Sequence, residues 1–200
     1  MKLAKRITIA IILFCLVFGA LNWMYFKEQF KYYLDPPGRG SELVTSDQMA
    51  GRNEDETAQP DMLWIDSLGI VAPIQYVEGT TEEVFQVALQ KGIVHYPGTS
   101  PPGAPGNAYF FGHSSDFPTA KGDYKTVFAL LPKIQHGAEI KVTDRAGNLF
   151  RYKVDRQFSV NPDQLDVLHQ DAGVKQLTLQ TSYPIGTALK RYIVIAYLQE

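Results

Sequence analysis

Three side chains of this chain have types suited to acyl transfer or peptide recognition. Ser182 carries a small hydroxyl, Arg191 a guanidinium nine residues later, and His113 an imidazole well upstream. A serine hydroxyl stays protonated at neutral pH and attacks only when a base removes its proton. Histidine titrates near working pH and can give or take that proton. Arginine presents a planar fork of donors that lysine lacks. Leu177 to Thr181 alternates apolar and polar residues, and Tyr192 to Leu198 is rich in β-branched and aromatic residues, so both read as strands. Pro184 and Gly186 interrupt regular pairing between them, so the chain turns back and brings Ser182 toward Arg191. Neighbouring strand residues face opposite ways, which separates Arg191 from Lys190 beside it.

The stretch Thr178-Leu179-Gln180-Thr181-Ser182-Tyr183-Pro184, with Arg191 after it and Phe111-Gly112-His113 before it, resembles the active-site signature of the sortases. These are membrane-anchored cysteine transpeptidases that attach proteins to cell walls or assemble pili. The resemblance implies a closed eight-stranded β-barrel over roughly Met62 to Leu198. It also implies a C-terminal sorting peptide similar to Leu-Pro-x-Thr-Gly as substrate, and an amine of the cell envelope or of another surface protein as acceptor. Carried over by position, His113 is the proton donor, Ser182 stands at the nucleophile position and Arg191 is the oxyanion or substrate clamp. One departure is plain: Ser182 occupies the place of the family's nucleophilic cysteine. Three readings stand side by side. The chain is a sorting-peptide-binding pseudoenzyme that has lost its nucleophile, a serine enzyme with weaker or hydrolytic activity, or a form altered to trap substrate. A serine enzyme requires a neutral His113, a hydroxyl-to-imidazole hydrogen bond and preferably a carboxylate that orients the ring. Asp116 is the carboxylate near in sequence.

The elements that must position these groups read as a mainly β body with one or two short helices. Met62 to Ile65 and Ile70 to Ile74 are expected as short strands. Thr80-Thr81-Glu82-Glu83 matches a capping box with Thr80 as N-cap, opening a helix in which Val84 meets Ala88 and Phe85 meets Leu89 before Gly92 stops it. A Pro- and Gly-rich loop over 97–106 precedes a strand from Asn107 to Phe111, which delivers His113. Thr126 to Leu131 reads as a helical turn before Pro132. Ala138 to Thr143 and Leu149 to Asp155 read as a hairpin about a turn over 144–148. Ser159 to Val174 is expected to be a long connection with a helical turn at Gln164 to His169. His95, His136 and His169 lack comparable context and read as surface or structural groups.

Ile7 to Phe26 is an uncharged run of about 20 residues, enough to span a hydrocarbon core of roughly 30 Å as a helix. Lys2, Lys5 and Arg6 precede it and no acidic residue comes before Glu28, which predicts a cytoplasmic N-terminus and an extracytoplasmic body. The polar segment that follows reads as a tether. The expected division is a basic N-terminus (1–6), a transmembrane signal-anchor helix (7–26), a flexible tether (27–60) and the β-barrel domain (61–200). Without those three cations, the body has 16 basic against 21 acidic residues and gives no reason to expect nucleic acid. The single cysteine, Cys15, lies in the apolar run, so no thiolate serves the body. No metal-ligand spacing or glycine-rich phosphate motif is present, and no cofactor is expected.

Overall fold

Alternate residues along each body strand are apolar, and this period of two sends them to one face of a sheet that closes on itself. The computed structural model describes residues 2–21, 23–34, 59–117 and 119–199. Its eight strands are β1 (Met62–Ile65), β2 (Ile70–Tyr76), β3 (Ile93–His95), β4 (Gly106–Phe111), β5 (Glu139–Thr143), β6 (Leu149–Val160), β7 (Lys175–Tyr183) and β8 (Lys190–Leu198). They form a closed barrel in the order β1-β2-β3-β4-β7-β8-β6-β5. Closure removes the unpaired edges of an open sheet. The pairings β2–β3 and β4–β7 are parallel and the others antiparallel. Leu63, Ile65, Ala108, Phe110, Ile140, Val142, Leu177, Leu179, Val194 and Ala196 are buried together in the core. Fully buried Tyr152 satisfies its hydroxyl by accepting a hydrogen bond from the Gly103 N–H at 2.7 Å.

Several boundaries differ from the sequence expectation. The short helix, α3 (Glu82–Leu89), has Thr81 as its N-cap, one residue later than expected, and the cap makes no side-chain hydrogen bond to the backbone. The Glu83 carboxylate is instead held below its usual range by its own backbone N–H and by the Thr81 hydroxyl. α3 packs Ala88 and Leu89 with Val94, Phe85 and Phe111 in a second apolar cluster outside the barrel core. The 3-10 turn near Pro132 spans Leu131–Lys133 and includes the proline, whose missing N–H costs nothing in a first turn. β6 does not stop at Asp155. A register shift between Val154 and Arg156 marks a bulge, after which the strand follows β8 as far as Val160 opposite Arg191. One inserted residue resets the inward and outward alternation, so reading a period of two from Leu149 loses the strand there.

The connection to β7 therefore covers 161–174. It contains a 3-10 turn, Leu165–Leu168, with no buried residue of its own. Buried Asn107 holds this connection, its Nδ2 donating to the carbonyls of Val167 at 3.0 Å and His169 at 3.4 Å. Gln170 adds a second clasp, accepting from the Asn107 N–H at 2.9 Å and donating to the Asn107 carbonyl at 3.1 Å.

Before the barrel come α1 (Lys2–Leu21) and α2 (Trp23–Leu34). Within α1, Leu3–Ala20 is long and apolar enough to cross a membrane, and none of it is buried by the rest of the chain. Residues 27–34, placed in the tether by the domain division although Gln29 to Leu34 can continue a helix up to Pro36, are helical in α2, while the remainder of the expected tether over 35–58 lies outside the described residues.

Candidate active site

The parallel pairing of β4 with β7 brings two distant parts of the chain out at the same end of the barrel. Phe111 pairs with Gln180, so His113 and Ser182 follow in step as each strand ends. Beyond the last pair, the Gly112 N–H donates to the Gln180 carbonyl at 3.1 Å, and the Thr181 hydroxyl donates to the Gly112 carbonyl at 2.9 Å. Thr181 is 1% exposed, so this bond is shielded from water. A side chain at 112 has no room: a Cβ there would lie 2.9 Å from Phe128, 3.0 Å from Val127 and 3.1 Å from Ile93. β8 then returns antiparallel with Arg191 opposite Ser182.

Directly opposed residues point to the same face. Leu177, Leu179, Val194 and Ala196 belong to the inner core, which puts Thr178, Gln180 and Ser182 of β7, and Arg191 of β8, on the outer face. His113, Ser182 and Arg191 all line one cavity of ≈ 290 Å³ there. α3 contributes Glu82, Phe85, Gln86 and Leu89 to its wall, and the 161–174 connection contributes Gln164, Leu165, Val167 and Leu168. The sequence-predicted trio therefore shares one groove, open on the outside of the barrel.

Burial lowers the pKa of His113, and the negative charges of Asp116 and Glu82 oppose that shift only in part. The ring is accordingly neutral at pH 7, the form in which it can accept a proton. Asp116 Oδ2 lies 3.9 Å from His113 Nε2, within ion-pair reach but beyond hydrogen-bond distance. Among the described residues, no hydrogen bond joins Ser182 to His113. Arg191 Nη1 donates to the carbonyls of Ala188 at 3.2 Å and Lys190 at 3.3 Å. These bonds fold the guanidinium onto its own loop without joining it to Ser182. Ser115 Oγ accepts from the Gly186 N–H at 3.0 Å and ties the histidine loop to the β7–β8 turn.

The Sortase domain family model matches residues 63–199, most of the chain and all of the barrel but its first residue. The chain belongs to the sortase family. Among solved structures, a Clostridium perfringens Sortase D5 transpeptidase is 31% identical, with 70% of this chain and 78% of that one covered and a TM-score of 0.57. Sortase A from Corynebacterium diphtheriae, in a lid-mutant form, is 25% identical over 70% of this chain and 69% of that one, with a TM-score of 0.58. Sortase C1 of Streptococcus agalactiae, also as a lid mutant, is 28% identical over 70% and 68%, with a TM-score of 0.57. No curated protein matches the chain.

In this sortase fold, part of what builds the groove escaped the sequence reading. Thr181 and Gly112 link the histidine strand to the serine strand, a pairing between elements about 70 residues apart that no local pattern announces. Gln180 was foreseeable, since strand alternation places it on the face of Ser182. Tyr109, which lines the cavity beside it, was not. The other histidines sit elsewhere. His95 is buried between Tyr76 and Phe110, His136 bonds the Asp155 carbonyl at 2.7 Å, and exposed His169 borders a second cavity. Among the described residues, no group of three or more His, Cys, Asp or Glu is placed to hold a metal.

Proposed function

We propose that this sortase is an extracytoplasmic, membrane-tethered acyl-transfer protein that binds a sorting peptide similar to Leu-Pro-x-Thr-Gly and passes it to an amine. The acceptor would belong to the cell envelope or to another surface protein. The observation that carries the reading is the convergence of His113, Ser182 and Arg191 on one outer groove, with Ser182 and Arg191 opposed across β7 and β8. The apolar helix ahead of the barrel and the cations in its first turns support a cytoplasmic N-terminus with the groove outside the membrane.

In the proposed reaction, Ser182 Oγ attacks the scissile carbonyl carbon as His113 takes the hydroxyl proton. Arg191 swings from the Ala188 and Lys190 carbonyls to donate to the oxyanion. Collapse breaks the C–N bond, and His113 returns the proton to the departing amine, leaving an ester on Ser182. An acceptor amine then attacks that ester, and its proton passes through His113 to Ser182 Oγ. The lowered pKa of His113 favours the neutral base that an oxygen nucleophile needs.

A second reading rests on a specific observation: Ser182 has no hydrogen bond to His113, and Asp116 stands too far away to orient the ring by hydrogen bonding. On that reading the groove holds the sorting peptide without cutting it. Incubating the full chain in detergent with Leu-Pro-Ala-Thr-Gly peptides and an amine separates the two. Ligated product supports transfer, saturable binding without product supports the peptide-holding form, and neither binding nor product refutes both.

A further inference from the structure

The floor of the groove holds a polar pair that the acyl-transfer chemistry leaves unused. Gln180 lies two positions before Ser182 on the same outer face of β7, and side chains at that spacing stand about 7 Å apart. Tyr109, on neighbouring β4, is 2% exposed, and its hydroxyl donates to Gln180 Oε1 at 2.5 Å. A buried phenol must place its proton on an acceptor, and this bond does so. Burial also pushes the Tyr109 pKa up, so the phenol remains a donor. With its oxygen so occupied, the Gln180 amide is fixed in one of its two orientations. Its Nε2 has two N–H donors and makes no hydrogen bond among the described residues. Gln180 and Tyr109 both line the cavity, Gln180 paired with Phe111 and the Tyr109 ring against Tyr96, so the two donors are presented to whatever occupies the groove.

We infer that Gln180 is a substrate-binding residue of this groove, donating to one main-chain carbonyl of the bound peptide, and that Tyr109 is the positioning residue that aims it. An extended peptide lying along the outer face of β7 advances about 3.3 Å per residue. A carbonyl two residues from the scissile one therefore reaches Gln180 when the scissile one reaches Ser182. The inference rests on the sorting-peptide reading above and names how that site holds its substrate.

The test uses the full chain in detergent micelles and a fluorescein-labelled peptide containing Leu-Pro-Ala-Thr-Gly, together with analogues in which each amide in turn is replaced by an alkene. Binding is read from the initial anisotropy on mixing, before any acylation of Ser182 or cleavage of the peptide. The inference expects one alkene position to weaken binding to the unaltered protein by about 3- to 10-fold, the size of one hydrogen bond. Gln180→Leu should weaken the parent peptide by a similar factor and be indifferent to that alkene. Gln180→Glu, which keeps the shape and the Tyr109 bond but removes both donors, should bind at least as weakly as Gln180→Leu. Tyr109→Phe should lose part of the same factor and add nothing to Gln180→Leu. Unchanged binding by Gln180→Leu, or an alkene effect that persists in it, overturns this inference alone. Failure of the unaltered protein to bind any of the peptides overturns the sorting-peptide reading and this inference with it.

Discussion

Thr181→Val is the change that most cleanly separates the framework of the groove from its chemistry. Valine matches threonine in shape but has no hydroxyl, so the core contact is kept and the bond to the Gly112 carbonyl at 2.9 Å is lost. Residue 181 is 1% exposed and water does not readily replace the hydroxyl. A buried acceptor left without a partner costs about 1–3 kcal/mol. A loss of about 2 kcal/mol lowers Tm by roughly 5–10 °C for a barrel of this size. The Gly112 carbonyl immediately precedes His113, so the imidazole should shift with it. Thermal unfolding by circular dichroism gives the stability, and NMR titration of His113 reports its surroundings. Thr181→Ser keeps the hydroxyl and should leave the His113 titration unchanged, even if its missing methyl lowers Tm. If Thr181→Val melts with the unaltered protein and His113 titrates the same in both, this bond does not couple β4 to β7 and the reasoning fails.

Gly112→Ala pushes a methyl against Phe128, Val127 and Ile93 at 2.9–3.1 Å, so it should destabilise the barrel by about 1–3 kcal/mol and weaken peptide binding as His113 is displaced. Denaturant unfolding and anisotropy would check both effects, and an alanine variant of normal stability would show that the strands have slack there. His95 predicts an acid-sensitive fold, because burial lowers its pKa, Arg145 adds to that effect and the Ser100 carbonyl opposes it. Below about pH 6.5 the unfolded chain takes up a proton that the folded His95 refuses, so stability falls with pH at up to about 1.4 kcal/mol per unit until the folded pKa is reached. Comparing His95→Gln with the unaltered protein from pH 7 to 5 should show their stability difference moving steadily in favour of the variant, and a constant difference would exclude His95 as the source.

The parts of this fold legible in the sequence were those governed by local periods. β7 and β8 announced themselves by alternation and by a β-branched run, and the turn between them by Pro184 and Gly186, so the approach of Ser182 to Arg191 followed from spacing. β6 beyond Asp155 was not legible, because a bulge inverts the alternation without leaving a compositional mark. The N-cap falls at Thr81 and not Thr80, because two adjacent threonines offer the same chemistry and the local pattern does not choose between them. The choice of a closed barrel over a sandwich came from the family resemblance, since the strand pattern alone fits either. The Tyr109–Gln180 pair depends on the parallel contact of β4 with β7, and strand propensity carries no information about which strands become neighbours.

The measurement that tests the central claim most directly compares the full chain with its Ser182→Cys form. Each is incubated with a library of sorting peptides and examined by intact mass for a covalent adduct. Cysteine gives the groove a nucleophile that forms an anion far more readily than serine. The account predicts acylation of the Cys form by peptides related to Leu-Pro-x-Thr-Gly, abolished by His113→Ala and reduced at least tenfold by Arg191→Lys, which keeps the charge and loses the planar fork. Acylation of the serine form as well would make Ser182 a working nucleophile. A folded Cys form that no peptide acylates, or one that acylates without regard to His113 and Arg191, would contradict the assignment of this groove as the site of acyl transfer.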